Sequence, residues 1–60
     1  MDAKQRFLSL YANLPIPERE QVVAVINKEP YTWKIAYLEI DADTALGKEI
    51  LGQLEQLGII

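Results

Sequence analysis

Two stretches of the chain repeat their apolar residues at helical spacing. Over residues 2–13, Ala3, Phe7, Leu10 and Tyr11, continued by Leu14, fall on one face at about 100° per residue, with Lys4, Gln5, Arg6, Ser9 and Asn13 off it. Asp2 is placed to cap this helix, and Gln5 follows three residues later as in a capping box. Leu14-Pro15-Ile16-Pro17 ends it, because a residue before proline is pushed out of the α region. Over residues 44–57, Leu46, Ile50, Leu51, Leu54 and Leu57 form one stripe, opposite Lys48, Glu49, Gln53, Glu55 and Gln56. Thr44 is the expected N-cap and Gly58 the left-handed residue past the end, with Ile59 folding back onto Leu54. Gly47 lies on the apolar face, where it allows another helix to come close. Gly52 lies on the polar face and has no evident purpose.

The middle of the chain supports two patterns. Residues 17–27 open like a helix, with Pro17 at the first position and Glu18 and Glu20 in the first turn. Yet Val22-Val23-Ala24-Val25-Ile26 is rich in β-branched residues, and Asn27-Lys28 can make a tight turn. As a strand it sets Val23 and Val25 against Val22, Ala24 and Ile26. Over residues 32–41, Trp33, Ala36, Tyr37 and Ile40 keep an i, i+3, i+4, i+7 spacing behind Thr32 as N-cap, with Lys34 and Asp41 on the far side. The expectation is therefore an all-α fold, a compact bundle of four short helices over residues 1–60 as a single domain. The alternative is α+β, a helix–β-hairpin–helix arrangement.

Composition then removes chemistry. The 60 residues are 50% hydrophobic and 25% charged, with no Cys and no His. Without those two residue types there is no Ser-His-Asp triad, no Cys-His nucleophile and no thiolate or imidazole metal site. A chain this short also has little room for a cleft, so the protein is expected not to be an enzyme and to need no cofactor. The charged N-terminus reads as no signal peptide, and the longest apolar run, Val22 to Ile26, is far too short for a membrane span. The expected setting is soluble and cytoplasmic.

Candidate sites are few. The stretch Glu39-Ile40-Asp41-Ala42-Asp43-Thr44 gathers carboxylates, but the glycine and glutamate positions of a calcium-binding EF-hand loop are missing. Its acids read instead as caps, Asp43 and Thr44 being alternative N-caps of the last helix. Trp33 and Tyr37 read as core, with Tyr31 closing the loop before them; these aromatics are also the residue types that dominate protein contacts. Helix-turn-helix DNA binding is the runner-up, from residues 17–27 with 32–41 or 32–41 with 44–57. Net charge is −3, with residues 35–60 carrying Lys48 against Glu39, Asp41, Asp43, Glu49 and Glu55, so phosphate attraction is weak.

Leu54-Glu55-Gln56-Leu57-Gly58-Ile59-Ile60 resembles the end of the recognition helix in winged-helix regulators, where a Leu-Gly-Ile step leads into the wing. More broadly, Leu14-Pro15, Glu18-Arg19, Pro30-Tyr31-Thr32-Trp33, Glu39-Ile40 and residues 44–60 resemble small archaeal and other prokaryotic proteins of similar length, a resemblance that implies no activity. The expected function is a protein-interaction or assembly module that self-associates as a homodimer, because so small a domain cannot hide so much apolar surface. Tyr31, Trp33 and Tyr37 are the first residues expected at the contact, and Ile59 and Ile60 the second.

Overall fold

A computed structural model describes residues 2–60. Helix α1 (Ala3–Ala12) is followed by a 3-10 turn (Ile16–Glu20), strands β1 (Val22–Ile26) and β2 (Glu29–Thr32), then helices α2 (Trp33–Asp41) and α3 (Ala45–Gln56). The expected four-helix bundle is thus corrected to an α+β arrangement, three α-helices around an antiparallel hairpin. Residues 17–27 divide between the 3-10 turn and β1.

The hairpin wins for a local reason. Asn27 and Lys28 both take positive φ, 53° and 71°, the signature of a type I′ two-residue turn whose twist matches that of the flanking strands. Four of the five β1 residues are β-branched, which suits a pleated surface better than a helix. A bulge between Val22 and Ala24 then alters the expected alternation. Val23 packs toward the core together with Ala24 and Ile26, leaving Val22 and Val25 on the outside.

The helix ends follow the expected caps. Asp2 Oδ1 accepts from the Gln5 amide at 2.8 Å, and the Thr32 and Thr44 hydroxyls accept from the Ile35 and Gly47 amides. Gly58 has φ 76°, and the Ile59 amide donates to the Leu54 carbonyl at 3.0 Å while Gly58 donates to Glu55, completing a Schellman motif. A second Schellman motif closes α2 with Asp43 as its left-handed residue, φ 56°. The Asp43 amide donates to Ile40 and the Thr44 amide to Glu39. Asp43 is therefore the end of α2, and Thr44 alone caps α3.

Phe7, Ala24, Ala36, Ile40, Ile50 and Leu54 form the buried core, drawn from α1, β1, α2 and α3. Helices α2 and α3 approach most closely at Gly47. A Cβ there would lie 2.6 Å from the Glu39 carbonyl carbon and 2.8 Å from the Ile40 nitrogen, distances that no side chain tolerates. Gly52, by contrast, has open space around it.

The two glycines should respond oppositely to the same substitution. Gly47→Ala should destabilise by about 1–3 kcal/mol through overpacking, whereas Gly52→Ala should stabilise by about 0.5–1 kcal/mol through helix propensity; urea denaturation of both variants checks the contrast. Lys28→Gly should stabilise by up to about 1 kcal/mol by relieving a left-handed residue that carries a Cβ, read as a higher urea midpoint at unchanged slope.

Candidate interaction surfaces

The central aromatics are placed by stacking inside the fold. The Tyr11 and Tyr37 rings lie nearly parallel with centroids 4.4 Å apart, and Phe7 stacks on Trp33 at 5.8 Å. Arg19 sits over Tyr11 at 4.4 Å and donates to its carbonyl at 3.3 Å, tying the 3-10 turn to α1. Tyr31, Trp33 and Tyr37 are each half-buried against the core, and so is Ile60. Ile59 is exposed at the C-terminus. The structure thus joins Trp33 and Tyr37 to α1 through Phe7 and Tyr11, and sets Tyr31 in β2 opposite Ala24.

The acidic stretch has structural partners. Asp43 pairs with Lys4 at 3.0 Å, and the Glu39 carboxylate accepts from the Thr44 hydroxyl at 2.7 Å. Among the described residues no three acids gather closely enough to hold a metal ion. Arg6 lies 3.9 Å from Glu55. Lys4, Arg6 and Arg19 are all engaged within the fold, and β1 removes the helix-turn-helix placement that needed residues 17–27 to be helical.

Among the described residues, two groups of neighbouring exposed apolar side chains stand out beside Leu10, Ile16 and Ile59. One is a groove of about 450 Å³ between β1 and the end of α3, where Val22, Val25 and Leu57 stand out into solvent. Its floor is unusual. The Gln53 side chain accepts from the Val25 amide at 3.0 Å and donates to the Val25 carbonyl at 2.8 Å. In a two-residue hairpin the pair beside the turn, Ile26 and Glu29, faces inward, so the next pair, Val25 and Pro30, aims its backbone outward. Gln53 closes that outward edge on β1. On β2 the equivalent position is Pro30, which has no N–H to offer. At this level of the sheet β1 has both backbone groups occupied and β2 lacks a donor, which disfavours pairing with another strand.

The second surface is the outer side of α2. Trp33, Ala36, Tyr37 and Ile40 face inward, and the opposite side carries Ile35, 41% exposed, and Leu38, 55% exposed. Ala42 continues them at i, i+3, i+7 and is also exposed. The far side of α2, expected to be marked by Lys34 and Asp41, is thus an apolar stripe with those two charges along one flank. The signal was present in the spacing of residues 35, 38 and 42, but the stronger stripe on the inward face masks it.

No protein family, no curated protein and no solved structure is significantly similar to this chain.

The Gln53 clamp makes a local prediction. Gln53→Ala should speed hydrogen exchange at the Val25 amide at least tenfold, since a hydrogen bond of about 1.4 kcal/mol corresponds to that factor. The Ala24 amide, paired across the hairpin, serves as the internal control in the same NMR measurement.

Proposed function

We propose that the protein is a non-enzymatic interaction module that self-associates, acting in the cytoplasm. The observation that carries this reading is α2, a nine-residue helix that is apolar on its inward side and again on its outward side. A helix at the surface of a lone domain has a polar outer face, whereas α2 turns Ile35 and Leu38 to solvent between Lys34 and Asp41 on one flank and Glu39 on the other. The monomer covers the inward side. A second copy covers the outward side without requiring a separate partner, and homo-oligomers with two-fold symmetry are the commonest assemblies of soluble proteins. Gln53 on the Val25 backbone and Pro30 opposite it disfavour strand addition and support a contact through side-chain faces.

The charge distribution supports a protein partner over nucleic acid. Helices α2 and α3 with the turn between them hold Lys34 and Lys48 against Glu39, Asp41, Asp43, Glu49 and Glu55. Phosphate binding needs the opposite balance. Interfaces smaller than about 1,200 Å² are weak, and a stripe on so short a helix belongs to that class.

Light scattering or sedimentation across about 10 μM to 1 mM should therefore show molar mass rising from one chain toward two as concentration increases, the range expected of a weak contact. A constant monomer mass over that range overturns the reading.

A further inference from the structure

Resting on the self-association reading, we infer that the second copy docks α2 against α2 in antiparallel orientation, about a two-fold axis beside Leu38. Charge registration along one flank selects this packing. Lys34 and Asp41 are seven residues apart, so they lie within about 20° of each other around the helix and about 10.5 Å apart along it. Both are exposed, and among the described residues neither has an ion-pair partner in its own chain.

A two-fold axis perpendicular to the helices reverses one copy while keeping like flanks together. Lys34 lies about 6 Å from the level of Leu38 on one side and Asp41 about 4.5 Å on the other. Reversal brings Lys34 of each copy to within about 1.5 Å, along the axis, of Asp41 in its mate. Two reciprocal ion pairs then flank a seam of Ile35, Leu38 and Ala42 from both copies. The isologous contact is self-complementary.

The parallel arrangement fails on the same residues. It exchanges the flanks, so Asp41 of one helix meets the side of the other that carries Glu39, about 3 Å away along the axis. Acid faces acid, and Lys34 has no carboxylate at its own level. Charge therefore discriminates between the two packings even where the apolar seam does not.

The test is a charge swap read by sedimentation. Lys34→Asp adds an acid in the first turn of α2, and Asp41→Lys adds a cation in its last, so both changes agree with the helix dipole and should leave the fold intact. Each variant alone should self-associate at least about fivefold more weakly than wild type, because both ion pairs become like-charge contacts. An equimolar mixture of the two variants should recover dimer mass. Only in that heterodimer does the acid introduced by the first substitution face the cation introduced by the second, while the unchanged Asp41 and Lys34 face each other as in wild type. Leu38→Asp should weaken association at least about tenfold by placing charge on the seam. Circular dichroism verifies the fold of each variant.

Wild-type dimer with Leu38→Asp and both charge variants equally dimeric overturns the α2 contact while leaving self-association standing. Loss of dimer in Leu38→Asp with no effect of the swap overturns the antiparallel arrangement. Wild type that stays monomeric overturns the underlying reading, and this inference with it.

Discussion

The contact between α2 and α3 at Gly47 is the constraint on which the remaining geometry depends. With no side chain at that position, the α3 backbone lies against the Glu39–Ile40 backbone of α2. The turn between the helices is correspondingly tight. Glu39 accepts the Thr44 amide through its carbonyl and the Thr44 hydroxyl through its carboxylate, while that hydroxyl caps α3 by accepting from Gly47. One threonine thus ends the connection, starts α3 and binds the end of α2. Asp43 accepts a left-handed backbone to make this possible, and its carboxylate reaches Lys4 of α1, so the same turn also anchors the first helix.

From that fixed end α3 organises the sheet. Ile50 and Leu54 enter the core, and Gln53, between them in sequence, reaches β1 and satisfies both backbone groups of Val25. A two-stranded hairpin is marginal alone and needs a layer to pack on. Here the helix supplies apolar contact and hydrogen bonds together. The glutamine amide presents an acceptor and a donor to the strand much as a neighbouring strand would, which explains why a polar residue on α3 is half-buried. Bulge and clamp act on the same strand: the bulge turns Val23 inward, and the clamp holds Val25 at the rim.

Sequence reasoning reached the helices because their signals are local. Asp2, Thr32, Thr44 and Gly58 each occupy the cap position that their chemistry suggests, and Gly47 lies where a helix comes close. The hairpin stands second to a helix in the sequence because the turn is Asn-Lys, where Asn-Gly is the strong signal, so two left-handed residues have to be accepted with only one suited to that conformation. The bulge hid the strand period in the same way. Asp43 was read as a cap of the following helix because a left-handed C′ residue is normally glycine. Gln53 lay beyond any local rule, since its partner is 28 residues away. At the candidate surface, Tyr31, Trp33 and Tyr37 are the conspicuous residues of the sequence, and their half-buried rings pack on α1 and the core.

Ile35 and Leu38 can be weighed against what folding alone requires. Their inward neighbours Ala36 and Ile40 complete the core, and Thr32 and the Schellman turn define the ends of α2. Polar residues at positions 35 and 38 would leave all of those interactions in place, and long polar side chains keep helix propensity. The part of this apolar pair that stays exposed leaves hydrocarbon in water, which polar residues at the same positions would not do. That exposure has a structural counterpart in the rigidity of the helix bearing it. α2 is held by Gly47 on one side, by Phe7 and Tyr11 through its two aromatics on another, and by caps at both ends. A docking helix fixed before contact loses little conformational freedom on binding, which favours association through a small surface. The same approach that gives a 60-residue chain its core thus presents the stripe on which the proposed contact rests.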